Sequence, residues 1–278
     1  MDLITTIHEI DSLYKNTIMP TILDKIIACK KKELENSKQI VTIEGLENKI
    51  QHIKNRNSLK KSIQNSSTGI IAEFKRRSPS KDWIFKEAKV NEIIPFYSEN
   101  GASAISVLTD LDFFGGTLQD LAFAEKLTQT PLLRKDFMID EYQLYQAKAY
   151  GASAILLIAA ALTVEKTKEL AMKAKKLGLE VLLELHNENE LDYINEWVDV
   201  VGINNRNLKT FVTDIQVSFE LSEKIPLEFL KISESGISST QTVKELMQVG
   251  YKGFLMGENF MKTEDPGKAL KEFISELK

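Results

Sequence analysis

Two copies of one short sequence, fifty residues apart, constrain this chain most. GASAISVLTD begins at Gly101 and GASAILLIAA begins at Gly151. Each copy follows an amphipathic helical stretch and leads into an apolar run. A glycine at that point suits the left-handed residue that ends a helix. A continuous apolar run suits a strand covered on both faces. Gly178 before LEVLLEL and Gly250 before YKGFLM have the same placing. The chain is therefore read as a recurring helix–glycine–strand unit.

Eight strands follow from that rhythm: Ile70–Phe74, Ala104–Leu108, Leu132–Lys135, Ala154–Ile158, Val181–Leu185, Val200–Asn204, Leu230–Ser233 and Gly253–Met256. Helical stretches lie between them. Asn187 with Glu190, and Ser238 with Gln241, have capping-box spacing. Asp265-Pro266 is an N-cap followed by proline at the first helical position. Pro95 falls inside the expected first barrel helix, which should start late or be kinked. An open doubly wound sheet would ordinarily show a glycine-rich dinucleotide turn after an early strand, and none is present. Eight strand–helix units point to an α/β fold, a closed (β/α)8 barrel of the TIM type. Residues 1–65 read as an N-terminal helical extension packed on it, with the lysine-rich run LDKIIACKKKELENS as a solvated face. Residues 1–278 are expected to form one barrel domain.

Composition narrows the function classes. A net charge of −4 argues against general polyanion binding, nucleic acid included. The single Cys29 excludes an internal disulfide and a cysteine-based metal cluster; it reads as a small apolar helix residue. His8, His52 and His186 are too scattered to suggest a metal site. No apolar run approaches the roughly 20 residues of a membrane span. The N-terminus MDLITTIHEI carries acids where a signal peptide would be basic. A cytoplasmic protein is expected.

Several of the strands run straight into charge. IIAEFKRRSPS delivers Glu73 and Lys75, with Ser78 beyond; IPLLRKDF delivers Lys135; LEVLLELHNE delivers Glu184. DVVGINNRN delivers Asn204 and Arg206, and the seventh strand ends in Glu234 and Ser235. In a (β/α)8 barrel these ends converge on one mouth. Residues two apart on a strand share a face, so Glu73 and Lys75 form one pair, and Asn204 and Arg206 another. A lone Glu-x-Lys pair is ordinarily a structural ion pair. Two lysines with several carboxylates form a set whose mutual perturbation suits proton transfer near neutral pH. Gly236 after the seventh strand, and Gly257-Glu258 after the eighth, occupy the loops that commonly hold phosphate through backbone N–H groups. Phe113, Phe114, Phe137 and Phe211 bring rings from three loops, which suits an aromatic substrate. His186 is expected beside the site, holding a loop.

Taken together, these blocks resemble the indole-3-glycerol phosphate synthase family over nearly the whole chain. EFKRRSPS resembles the family's E-x-K-R-x-S-P-S block. SVLTDLDFFGGT, LRKDF, LLELHNE, GINNRNL, SESGI and LMGENFM are similar to its later strand blocks, in order, and LDKIIACKKKELE is similar to its N-terminal helix. The resemblance implies a monofunctional carboxy-lyase of tryptophan biosynthesis that needs no metal or organic cofactor. Its substrate would be 1-(2-carboxyphenylamino)-1-deoxyribulose 5-phosphate, closed to a ring and stripped of carbon dioxide and water to give indole-3-glycerol phosphate. Lys135 would protonate the substrate carbonyl. Lys75 would hold the carboxylate and assist dehydration, and Glu184 and Glu73 would be acid–base carboxylates of the later steps. Asn204, Arg206, Glu234, Ser235 and Ser78 would orient substrate and the charged network. Gly236, Gly257 and the Glu258 amide would hold phosphate, and Phe114 and Phe137 would pack on the anthranilate ring. Glu258 stands where some members carry serine, so only its amide is assigned. The resemblance implies a phosphorylated small molecule as the sole partner, with no nucleic acid, membrane or obligate protein. Two alternatives remain: a sister ribulose-phosphate barrel such as phosphoribosylanthranilate isomerase, and a non-catalytic barrel subunit.

Overall fold

A computed structural model of the chain describes residues 20–53 and 57–278. His8 and the N-terminal MDLITTIHEI lie outside them. Eight strands close into a parallel barrel: β1 Ile70–Phe74, β2 Ala104–Leu108, β3 Leu132–Lys135, β4 Ala154–Ile158, β5 Glu180–Leu185, β6 Val200–Asn204, β7 Leu230–Glu234 and β8 Gly253–Met256. Each pairs with its sequence neighbours, and β1 closes the ring against β8, Ile71 opposite Leu255. Six of the eight predicted strands have the expected bounds; β5 and β7 each extend by one residue. The predicted glycines have positive φ: +92° at Gly101, +85° at Gly151, +70° at Gly178 and +92° at Gly250. A side chain in that conformation would be strained, so the repeat marks one structural event used again and again.

Strand parity sorts the side chains. Ile70, Ala72 and Phe74 face outward into the layer between strands and helices. Ile71, Ala104, Leu133, Leu156, Leu182, Val200, Ile232 and Leu255 fill the barrel interior. The next residue of the same parity at each C-terminal end is the one that reaches the mouth, which is why apolar runs of one period end in polar groups pointing together.

Among the described residues, three helices precede the barrel: α1 Ile22–Ile40, α2 Ile43–Ile50 and α3 Leu59–Gln64. Thr21 caps α1 in a capping box with Asp24. α3 lies at the N-terminal ends of the strands. The Ser62 hydroxyl donates to the Ser103 carbonyl at 2.6 Å, and Leu59 and Ile63 join the interior cluster. α2 packs Leu46 with Leu34 of α1 against Tyr142 and Tyr145.

The lysine run on α1 is not uniformly solvated. Lys31 and Lys32 are exposed, but Lys30 is buried. Its Nζ lies 3.0 Å from Asp110 and from Asp136, the residues beyond β2 and β3, and 2.7 Å from Glu33. Arg134 binds the other oxygen of Asp136 at 2.8 Å. A helix face that covers the barrel mouth must bury one of its charges there, and two loop aspartates compensate it. Cys29 is half-buried and lies 2.9 Å from an Asp112 carboxylate oxygen, so it is not an apolar packing residue.

Other local expectations shift. Between β5 and β6 stands a 3-10 segment, Glu188–Tyr193, where a full helix was predicted. There Glu190 accepts from the His186 N–H at 2.7 Å instead of closing a box on Asn187. The later cap is Ser239, accepting from Thr242, one residue beyond the predicted Ser238. Asp265 caps Pro266–Leu277 as predicted. The first barrel helix spans Val90–Glu99 and runs through Pro95, so it does not start late.

Candidate active site

Inward parity brings Glu73, Lys75, Lys135, Glu184, Asn204 and Glu234 to one mouth. The Lys75 ammonium lies 2.6 Å from Glu73 Oε1, and Ser106 approaches the other Glu73 oxygen at 3.5 Å. Lys135 donates to Glu184 Oε2 at 2.9 Å and makes a shorter contact to Glu234 Oε2. Asn204 Nδ2 donates to Glu184 Oε1 at 3.1 Å. All three carboxylates are buried.

The electrostatics follow from partner count. Burial penalises each carboxylate, yet Lys135 and the His186 side chain hold Glu184 well below the usual carboxylate range. Glu73 is also held low, by Lys75 and Lys135 against burial. Glu234 moves the other way. Burial dominates there, Glu184 repels it, and its Oε1 has no hydrogen-bond partner. Glu234 is thus the carboxyl that retains a proton most readily. Burial disfavours charge on Lys135, but Glu184, Glu234 and Glu73 outweigh it and raise its affinity for the proton.

Two adjoining clefts meet at Glu73 and Lys75 of this charged floor. The first is apolar on one side and is walled by Phe114, Phe137, Phe211 and Leu156, with Ile22, Leu23 and Ile26 of α1. Phe114 and Phe137 stand 6.0 Å apart, tilted by 40°. Phe113 is not in that wall. The second cleft is polar, lined by Ser235, Gly236, Gly257, Glu258 and Asn259, with Lys81 and Lys262 at its edge. Arg206 borders both. Its Nη1 donates to Ser80 at 2.9 Å, and its Nη2 lies 3.7 Å from Glu258. The Glu258 carboxylate therefore faces two cations, Arg206 and Lys81, the latter at 3.9 Å. Ser235 and Gly236 are consecutive left-handed residues, φ +65° and +75°, in the lining of the second cleft. Together the clefts collect every other predicted site residue, Ser78 included. His186 stands beside them, in a separate cleft with Asn187 and Glu190.

Sequence reasoning missed Gly202. A Cβ there would lie 2.5 Å from Glu234 Oε1, so this glycine makes the space that Glu234 occupies. Its signal was present: a glycine inside the buried strand VVGIN marks close approach. Missed too were the α1 residues Ile22, Leu23 and Ile26, which only the docked helix brings to the mouth. Glu234 was read as a substrate-orienting residue, and it lies in direct contact with Lys135.

The sequence model of the family described as indole-3-glycerol phosphate synthase matches residues 23–273. An indole-3-glycerol phosphate synthase of Bacteroides thetaiotaomicron is 53% identical over 259 residues, covering 93% of this chain and 100% of the relative. One from Prochlorococcus marinus is 42% identical over 265 residues, covering 92% and 90%. Among solved structures, a tryptophan synthase α-subunit mutant from Pyrococcus furiosus superposes with a TM-score of 0.56 at 16% identity, covering 76% of this chain and 98% of its own. A thiamine phosphate pyrophosphorylase from the same organism gives 0.56 at 15%, covering 79% and 98%. At such identities the two structures share the barrel fold alone.

Proposed function

Because this chain belongs to the indole-3-glycerol phosphate synthase family, we propose that the two clefts hold the two halves of 1-(2-carboxyphenylamino)-1-deoxyribulose 5-phosphate above the charged floor. The activity is that of a carboxy-lyase in tryptophan biosynthesis: ring closure, decarboxylation and dehydration to indole-3-glycerol phosphate. Family membership favours this reading over the isomerase and the non-catalytic subunit. The observation that carries the assignment of the site is Lys135, held between Glu184 and Glu234 in the lining of the aromatic cleft.

The anthranilate ring packs on Phe114 and Phe137, and the phosphate meets the backbone amides at Gly236, Gly257 and Glu258. Lys75 binds the carboxylate. Arg206, Ser78, Ser235 and Asn204 fix the chain between the two ends. In ring closure the ring carbon bearing the carboxylate attacks the ketone carbon, and Lys135 donates its proton to the ketone oxygen. The carboxylates around it, Glu184 foremost, raise its affinity for the proton, so it arrives charged. Loss of carbon dioxide restores the aromatic ring. Dehydration then takes a hydroxide with a proton, for which Lys75 is the nearby acid, and removes a proton from the adjacent carbon, for which ionised Glu184 and Glu73 are the available bases. The protein works in the cytoplasm on this phosphorylated small molecule.

Purified protein incubated with the substrate should generate the indole chromophore and its fluorescence. Lys135→Ala should lose turnover by roughly 10²- to 10⁴-fold, the scale of positioned acid catalysis, with the circular dichroism of the fold retained. Near-normal turnover in that variant would reject the role.

A further inference from the structure

His186 follows directly on β5, and its side chain is only 9% exposed. The imidazole stands between two carboxylates. Its Nε2 lies 3.2 Å from Glu184 Oε1, and its Nδ1 lies 3.4 Å from Glu190 Oε2. Neither contact has hydrogen-bond alignment; each is a close approach of a ring nitrogen to a carboxylate oxygen. Glu190 is itself fixed: it accepts from the His186 backbone N–H at 2.7 Å and from Asn187 Nδ2 at 2.9 Å. On the far side Lys135 holds Glu184 Oε2. Lys209 and Asp214 line the outer cleft beside the imidazole, and Asn204 Nδ2 donates to the same Glu184 Oε1 at 3.1 Å. A neutral imidazole carries a proton on one nitrogen and a lone pair on the other. Carboxylates opposite both nitrogens favour a ring protonated on both.

We propose that His186 is a positioning residue for the reaction: as an imidazolium clamped by Glu190, it fixes the Oε1 side of Glu184, leaving Oε2 to face Lys135 and the substrate. The role rests on Glu184 acting in proton transfer. It gives Glu190, outside both substrate clefts, a part in the chemistry by way of His186. It also makes the charge of one imidazole a condition for the alignment of the buried carboxylate.

The chain has three histidines, so their imidazole signals can be followed singly by NMR, and the one absent from His186→Asn is assigned. Burial opposes charge on His186, but Glu184 and Glu190 outweigh it and push its titration up to about 9. The signal should titrate there in the wild type. In Glu190→Gln it should move down by on the order of one pH unit, the usual effect of removing one nearby opposite charge. The alkaline limb of kcat should move with it. His186→Asn should lower kcat by about tenfold or more, as loss of an orienting partner does, with a smaller change in KM. A His186 signal that titrates near its ordinary value overturns the proposal. So does a kcat limb that stays in place while the signal moves in Glu190→Gln. Full turnover in Glu184→Gln would reject the role of Glu184 and this one with it. Loss of turnover there, beside an unmoved limb in Glu190→Gln, would reject the clamp alone.

Discussion

Gly257 and Glu73 approach so closely that a Cβ on the glycine would lie 2.6 Å from Glu73 Oε1 and 2.9 Å from its Cβ. The glycine was expected to give a phosphate access to the backbone. Its missing side chain also leaves room for a carboxylate that pairs with Lys75. The glycine-lined cleft and the charged floor meet here.

Two glycine variants separate the two effects. At Gly236 the φ is +75° and a Cβ would meet only Thr213, at 2.6 Å, in the loop after β6. Gly236→Val should raise KM and weaken competitive inhibition by inorganic phosphate, with a smaller fall in kcat. Gly257→Val should lower kcat as well, because the branch pushes on Glu73. Steady-state kinetics with phosphate as inhibitor decide this. Absence of competition by phosphate in the wild type would remove the anion from these loops.

Lys75 meets Glu73 at the cleft floor, and arginine there would keep the charge while giving up an acid that can release its proton. Lys75→Arg should retain part of the affinity for a reduced, unreactive substrate analogue yet lose turnover. Lys75→Met should lose both. Full turnover with arginine would leave Lys75 as a binding charge only.

Glu184→Gln preserves shape and keeps one of the two acceptor oxygens that receive Asn204 and Lys135. Turnover should fall by roughly 10²-fold or more if proton transfer is lost, while analogue binding changes little. Normal turnover with weaker binding would make Glu184 a binding residue.

Lys30→Met should remove about 3–5 kcal/mol of stability, the cost of deleting one partner from a buried ion pair, because Asp110 and Asp136 lose a counter-charge. Denaturant unfolding measures this. KM should rise as well, since α1 carries Ile22, Leu23 and Ile26 over the cleft. An unchanged midpoint would mean that Arg134 suffices for Asp136 and that water reaches Asp110.

The barrel was legible because its signals are local. Gly101, Gly151, Gly178 and Gly250 each end a helix by a backbone demand that few other residues meet, and the apolar runs after them have one reading. The mouth was legible for a related reason: parity carries Glu73 from Ile71, and Glu184 from Leu182, whatever surrounds them. Lys30 was misread because its sequence neighbours are exposed lysines, and its partners lie about 80 and 106 residues away. The segment after β5 was misread because Asn187 and Glu190 have cap spacing, but Glu190 is drawn to the His186 N–H. Gly202 was overlooked because its reason is a carboxylate on the neighbouring strand, and only pairing brings the two together.

The apolar boundary above the cleft comes from α1, and the charged floor from the ends of five barrel strands. These are separate stretches of the gene. Changes of volume at Ile22, Leu23 or Ile26 can alter which ring is admitted while Lys135 and its carboxylates keep their places. Selectivity and reactivity are then open to independent variation, and a library confined to the helix would search one without eroding the other.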